Sequence, residues 1–161
     1  MVRDGRRSVN LGRPQDEDEP MSADADLILR SFEQVAERCP DPAPLVYALL
    51  FADHPEMEAL FVRDTDGAVR GEMLSRVFEA ILDFIDRTHF AATLIQCEVI
   101  THEGYGVPPD VFGVFFTTLA QSFRQILGED WTAATDAAWS RLLADLDFYV
   151  THPDQAATRV A

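Results

Sequence analysis

Hydrophobic residues recur every three or four positions along most of this chain, the spacing that puts them on one face of an α-helix. The clearest such stretch spans residues 112–127 and ends at Gly128, a residue type common just past a helix end. Similar patterns predict further helices over about 22–39, 44–52, 55–61, 66–86, 90–102 and 132–150. No segment alternates with the period of two that marks a half-buried strand. We therefore predict an all-α fold of about seven to eight helices.

The same patterns assign side chains to the interior. The stretch 45–52 is apolar on nearly every side, so this helix should be buried all round. In the helix that begins at Phe90, Cys97 is counted with the inward-facing residues. The two cysteines, Cys39 and Cys97, lack the spacing of a zinc site. Two buried free thiols are therefore preferred over a disulfide, which the sequence leaves open.

The two ends of the chain differ in composition from its middle. Residues 1–21 mix charge, glycine and proline without periodicity, so we predict a disordered tail there. Residues 152–161 are polar and should fray. Between them, residues 22–151 form one domain, which opens with Ser22, a residue type that caps helices.

Charge and hydropathy narrow the classes of partner. A net charge of −15 argues against nucleic acid and anionic membranes, because phosphate groups bind basic surfaces. No apolar run reaches the roughly 18–20 residues that a membrane span needs. The N-terminal arginines are followed by no apolar signal core, so the cytoplasm is the expected location.

Two residues carry candidate chemistry. His102 ends an apolar helix and is followed by a glycine-rich turn and the pair Pro108-Pro109. A histidine there can be a metal ligand, or simply a helix-end residue favoured by the helix dipole. Tyr47 is a phenol inside an apolar helix, so its buried hydroxyl needs a partner. That partner is either a bound ligand or a backbone carbonyl.

Four motifs, in order, resemble the globin family, and the bacterial single-domain globins and the globin part of flavohaemoglobins more than animal myoglobins. The motifs are Val46 to Phe61 with its helix-opening Pro55, His102 with Tyr105-Gly106-Val107, Leu127-Gly128 with Trp131-Thr132, and Ala138-Trp139. The resemblance covers about residues 24–150. It implies a globin fold whose helices surround a haem b pocket.

The resemblance also implies roles for individual residues. His102 would give one ring nitrogen to the haem iron, while its other nitrogen donates to a carbonyl or carboxylate. On the other face, Tyr47 would donate a hydrogen bond to bound O2, and Leu74 would bound the gas-binding pocket. Four further side chains would pack against the porphyrin, namely Phe61, Val107, Phe112 and either Phe116 or its neighbour Phe115.

Arg70 occupies a position where such globins often carry histidine or glutamine. It would either bind a haem propionate beside the gas-binding pocket or lie exposed, and the sequence favours neither. Gly71 follows it, and a small residue there would let this helix cross closely over the second helix near Ala43. The remaining histidines are interpreted as surface residues, so no second histidine ligand is expected; they are His54, His89 and His152.

The implied function is reversible binding of O2, and also of NO and CO, at a five-coordinate iron, for oxygen transport or gas sensing. One alternative is an NO dioxygenase that works with a separate reductase, since the chain has no GxGxxG motif. Phe112 stands where activated globins carry a tyrosine, and only Glu98 or Glu103 is placed to substitute for their glutamate. The other alternative is a regulatory sensor module. A homodimer is compatible with single-domain globins, although nothing in the sequence marks an interface.

Overall fold

A computed structural model describes residues 19–86 and 90–152, and the regular secondary structure within these residues is entirely helical. There are six α-helices and two 3-10 helices. In chain order the elements are α1 (Glu19–Arg38), α2 (Ala43–Asp53), a 3-10 helix (Pro55–Phe61), α3 (Ala68–Ile85), α4 (Phe90–Gly104), α5 (Pro109–Leu127), a 3-10 helix (Gly128–Asp130) and α6 (Ala133–Thr151). The predicted all-α fold is therefore confirmed. None of the described helices is long and apolar enough to cross a membrane.

Helix ends follow the local chemistry, with some differences from the predicted bounds. α1 begins at Glu19 rather than Ser22. Pro20 is compatible with this earlier start, since a proline in the first turn removes no helical hydrogen bond. α6 begins after Thr132, whose side chain accepts a hydrogen bond from the backbone N–H of Thr135. Most of the predicted tail 1–21, the segment 87–89 with the predicted surface residue His89, and nearly all of the predicted tail 152–161 lie outside the described residues.

Helices α1, α5 and α6 contact one another and form what we call the core half of the molecule. Phe32 stacks on Trp139 with ring centroids 5.9 Å apart and meets Phe123 edge-on at 4.9 Å. The indole N–H of Trp139 donates to the Ser31 hydroxyl at 3.0 Å. Such interlocking rings bury much apolar surface, so this half supplies a rigid frame for the other helices.

Helices α2, α3 and α4, with the 3-10 helix Pro55–Phe61, form what we call the cavity half. α3 packs against α2 and α4, while α2 and α4 both contact α5. Because α5 contacts helices of both halves, one of its faces joins the core rings and another is available to the cavity half. The site described below lies where α3, α4 and α5 converge.

Three predictions about packing are wrong. The solvent side of α2 is exposed at Ala48 and Ala52, two small residues whose apolar area is slight, so the helix is not buried all round. Cys97 is exposed and Cys39 is half-buried, although both thiols are free as predicted. A Cβ added at Gly71 would meet nothing within 4 Å, so no close helix crossing explains this glycine.

Candidate functional site

An apolar cavity opens between the helices of the cavity half and α5. It encloses about 840 Å³ of space not filled by protein atoms, and part of this space is continuous with solvent. Its lining is hydrophobic except for Arg76, Glu98 and His102. A predominantly apolar pocket with a few convergent polar groups is the usual form of a small-molecule site.

His102 reaches this cavity from the last turn of α4. Its Nδ1 donates to the backbone carbonyl of Glu98 at 2.8 Å, one helical turn back. The Glu98 carboxylate also approaches this nitrogen, at 3.6 Å, which is beyond hydrogen-bond distance. Because Nδ1 carries the proton, Nε2 of the neutral ring keeps its lone pair and can act as a ligand.

Aromatic and aliphatic side chains wall the cavity around His102. Phe112 meets the imidazole edge-on with ring centroids 4.9 Å apart and contacts Phe116 at 6.0 Å. Phe61 enters from the 3-10 helix and Val107 from the turn before α5. The structure thus brings together five of the residues singled out from the sequence, including His102 itself.

Tyr47 lies beside this cavity rather than on its lining. It is 1% exposed, and its ring contacts two cavity-lining rings, Phe61 at 5.3 Å and Phe115 at 5.5 Å. Among the described residues, its hydroxyl is the one buried side-chain polar atom without a hydrogen-bond partner. Burial raises the pKa of Tyr47 well above its ordinary value of 10.0, so the hydroxyl stays protonated and remains a donor.

Arg70 is held away from the cavity lining by Asp64. Its Nε donates to the Asp64 carboxylate at 2.8 Å and its Nη2 to the Asp64 carbonyl at 3.1 Å. The guanidinium carbon lies 6.0 Å from the centroid of the Tyr47 ring, within cation–π range. Arg70 therefore packs over Tyr47, an arrangement that neither sequence interpretation of this arginine included.

Leu74 also lies off the cavity, in the packed core, where it is 3% exposed. Met73 and Val77 from the same helix line the cavity instead. The apolar stripe of α3 is wide enough to include all three, so periodicity alone cannot tell which part of it faces the cavity. Sequence reasoning also missed other lining residues, among them Met57 and Arg76, for which the pattern carried no distinguishing signal.

The donor set of the site restricts what it can hold. No group of three or more His, Cys, Asp or Glu side chains converges among the described residues. A single imidazole is too few ligands for a bare metal ion. It suits a metal whose other positions are filled by a flat organic ring, as in haem. The apolar walls and the unpartnered Tyr47 hydroxyl fit such a group.

Comparison with known protein families agrees with the fold and with this donor set. A model of the globin family matches residues 45–147, which include most of α2, all of α3 to α5 and most of α6. The chain therefore belongs to the globin family. Among curated proteins, none matches it.

Proposed function

We propose that this globin binds haem b with His102 as the iron ligand and that it holds O2, and also NO and CO, reversibly. The observation that carries the proposal is the position and hydrogen bonding of His102. Its Nδ1 donates to the Glu98 carbonyl, and its ring lines an apolar cavity. A helix-end histidine that served only the helix dipole would need no such cavity.

The side chains around His102 would then perform distinct tasks. The haem iron supplies the position at which a diatomic gas binds. The Glu98 carbonyl fixes the orientation and tautomer of the imidazole, which keeps Nε2 available as a ligand. Phe61, Phe112 and Phe116 exclude water from the cavity, which would slow both loss and oxidation of the cofactor.

Tyr47 would be the hydrogen-bond donor to the gas. Leaving a buried hydroxyl unpaired costs about 1–3 kcal/mol, so a partner in the loaded protein accounts for its presence. The hydroxyl has no partner, and the rings that Tyr47 contacts line the cavity. The partly negative outer oxygen of O2 is a suitable acceptor.

Replacement of the ligand tests the proposal directly. The purified protein, supplied with haem, should show a sharp Soret band, and His102→Ala should lose specific haem retention. Imidazole added to His102→Ala should restore much of the band, since it can replace the missing ring. His54→Ala is the matched control, because His54 pairs with Glu56 at 3.2 Å and does not line the cavity. An unchanged Soret band in His102→Ala would reject the assignment.

Glu98 favours one second candidate, NO dioxygenation with electrons from a separate reductase. Its carboxylate lies 3.6 Å from Nδ1 of His102, where a negative charge strengthens the electron donation of an imidazole. Conversion of NO to nitrate by the protein with added reductase would support this activity. Absence of turnover, with gas binding intact, would leave the protein as a binder.

A further inference from the structure

We infer that Arg76, on α3, binds a carboxylate of the haem where the cavity opens to solvent. The inference rests on the proposed haem binding. It concerns a residue that neither the sequence motifs nor the family match singles out. Haem b carries two propionate groups, whose charges are costly to bury without a cationic partner.

Arg76 is the one cationic side chain among the described residues that line the cavity. Its side chain is 61% exposed, so it stands where the apolar interior gives way to solvent. The other two polar lining residues cannot take this role. Glu98 carries the same charge as a propionate, and His102 is the proposed iron ligand.

Arg70, the arginine that the sequence suggested for a propionate, is already paired with Asp64. Asp64 is 7% exposed, and the Arg70 guanidinium donates to its carboxylate from Nε and to its backbone carbonyl from Nη2. Removing the guanidinium from this pair would leave a buried carboxylate without its cationic partner, held only by two backbone N–H groups, and burying an uncompensated charge is unfavourable. A haem propionate, partly solvated at the cavity mouth, offers too little to offset that cost.

Arg76 has no comparable commitment. Its Nη2 lies 3.2 Å from the Glu72 carboxylate, one turn earlier on the same helix. Exposed pairs of this kind contribute little stability. A guanidinium has five N–H donors. Arg76 can therefore donate to a second carboxylate while it stays paired with Glu72, or it can bind the second carboxylate in place of Glu72.

The test compares two forms of the cofactor, ferric haem b and its dimethyl ester, in which both carboxylates are blocked. The rate of haem loss to an excess of a haem-scavenging protein is followed at the Soret band for the wild type and Arg76→Met. Arg76→Met should lose haem b about fivefold faster, on the scale of a partly exposed ion pair. It should lose the dimethyl ester at the wild-type rate.

Arg124→Met is the matched control. Arg124 is 66% exposed, pairs with Asp136 at 3.4 Å, and does not line the cavity. Arg124→Met removes the same charge as Arg76→Met but lies away from the cavity, so it should leave both rates of haem loss unchanged. Equal loss of haem b from wild type and Arg76→Met would overturn the inference, and so would faster loss of both cofactors, which would indicate a structural defect. A wild type that gives no Soret band with either cofactor would instead reject haem binding itself.

Discussion

Trp139 and Tyr47 are equally buried, each 1% exposed, yet they differ in how their polar atoms are satisfied. The indole N–H of Trp139 donates to Ser31, and the Ser31 hydroxyl donates onward to the carbonyl of Ile28 at 2.6 Å. The Tyr47 hydroxyl has no partner. Both lie among aromatic rings, so the contrast is not one of packing. In the core half the buried polar atom of Trp139 is satisfied within the fold, whereas in the cavity half the Tyr47 hydroxyl lacks a partner beside an apolar cavity.

A protein gains no stability from an unpaired buried hydroxyl or from an apolar cavity that its own side chains do not fill. Their occurrence together, beside His102, is the reason we propose a ligand site in the cavity half. The difference between the halves can be tested by removing polar atoms one at a time.

The largest expected effect is in the core half. Ser31→Ala removes the acceptor of the Trp139 N–H and should lower the free energy of unfolding by about 2 kcal/mol. Urea unfolding followed by tryptophan fluorescence measures this change. Ser140→Ala serves as a control, because Ser140 is exposed and its hydroxyl donates to the Asp136 carbonyl of its own helix. A Ser31→Ala variant as stable as the wild type would mean that the hydrogen bond between Trp139 and Ser31 does not stabilise the core half.

Tyr47→Phe should act with the opposite sign in the haem-free protein. Removal of an unpartnered hydroxyl should raise the free energy of unfolding by about 1 kcal/mol. In the haem-loaded protein the same change should accelerate O2 release about tenfold, as expected for one lost hydrogen bond of roughly 1.4 kcal/mol. Urea titration and stopped-flow displacement of O2 measure the two effects. A loss of stability in the haem-free protein would show that the hydroxyl is already paired there, and an unchanged release rate would remove its role with the gas.

The sequence predicts the core half better than the cavity half, for a physical reason. Periodicity reports which residues avoid water. In α5 and α6 the apolar residues that recur at helical spacing include Leu119, Phe123, Trp139 and Leu142, and all four are buried. Around a cavity, an apolar side chain can be shielded from water in two ways, because it can face either the packed core or the cavity. The pattern in α3 cannot separate Leu74 in the core from Met73 on the cavity.

Polar contacts within loops were the other feature beyond the reach of the sequence. At the start of α3, the Asp66 side chain accepts a hydrogen bond from the N–H of Ala68 at 3.1 Å. The buried carboxylate of Asp64 accepts the next two N–H groups, those of Val69 and Arg70. Gly67, in the left-handed region with a φ of 77°, makes the turn that allows this. A contact that depends on one backbone angle does not change the periodicity of hydrophobic residues, so the sequence pattern does not predict it.

The smallest expected effect uses these two caps, since α3 in the cavity half is capped by a carboxylate and α6 in the core half by a hydroxyl. Burial alone would raise the pKa of Asp64, but the Val69 N–H and the Arg70 guanidinium and N–H outweigh it and hold the pKa below its ordinary value of 3.8. The cap is therefore fully formed above about pH 4 and lost as the pH falls through the lowered pKa. Protection of the Val69 and Arg70 amides from hydrogen exchange, corrected for the intrinsic rate, should decline in this acid range. In Asp64→Asn this decline should be absent, because asparagine does not titrate. Protection of the Thr135 amide should not follow it, since a neutral hydroxyl caps α6. Equal acid sensitivity of both caps would mean that acid loosens the whole molecule at once, and the two halves would then not differ in what stabilises them locally.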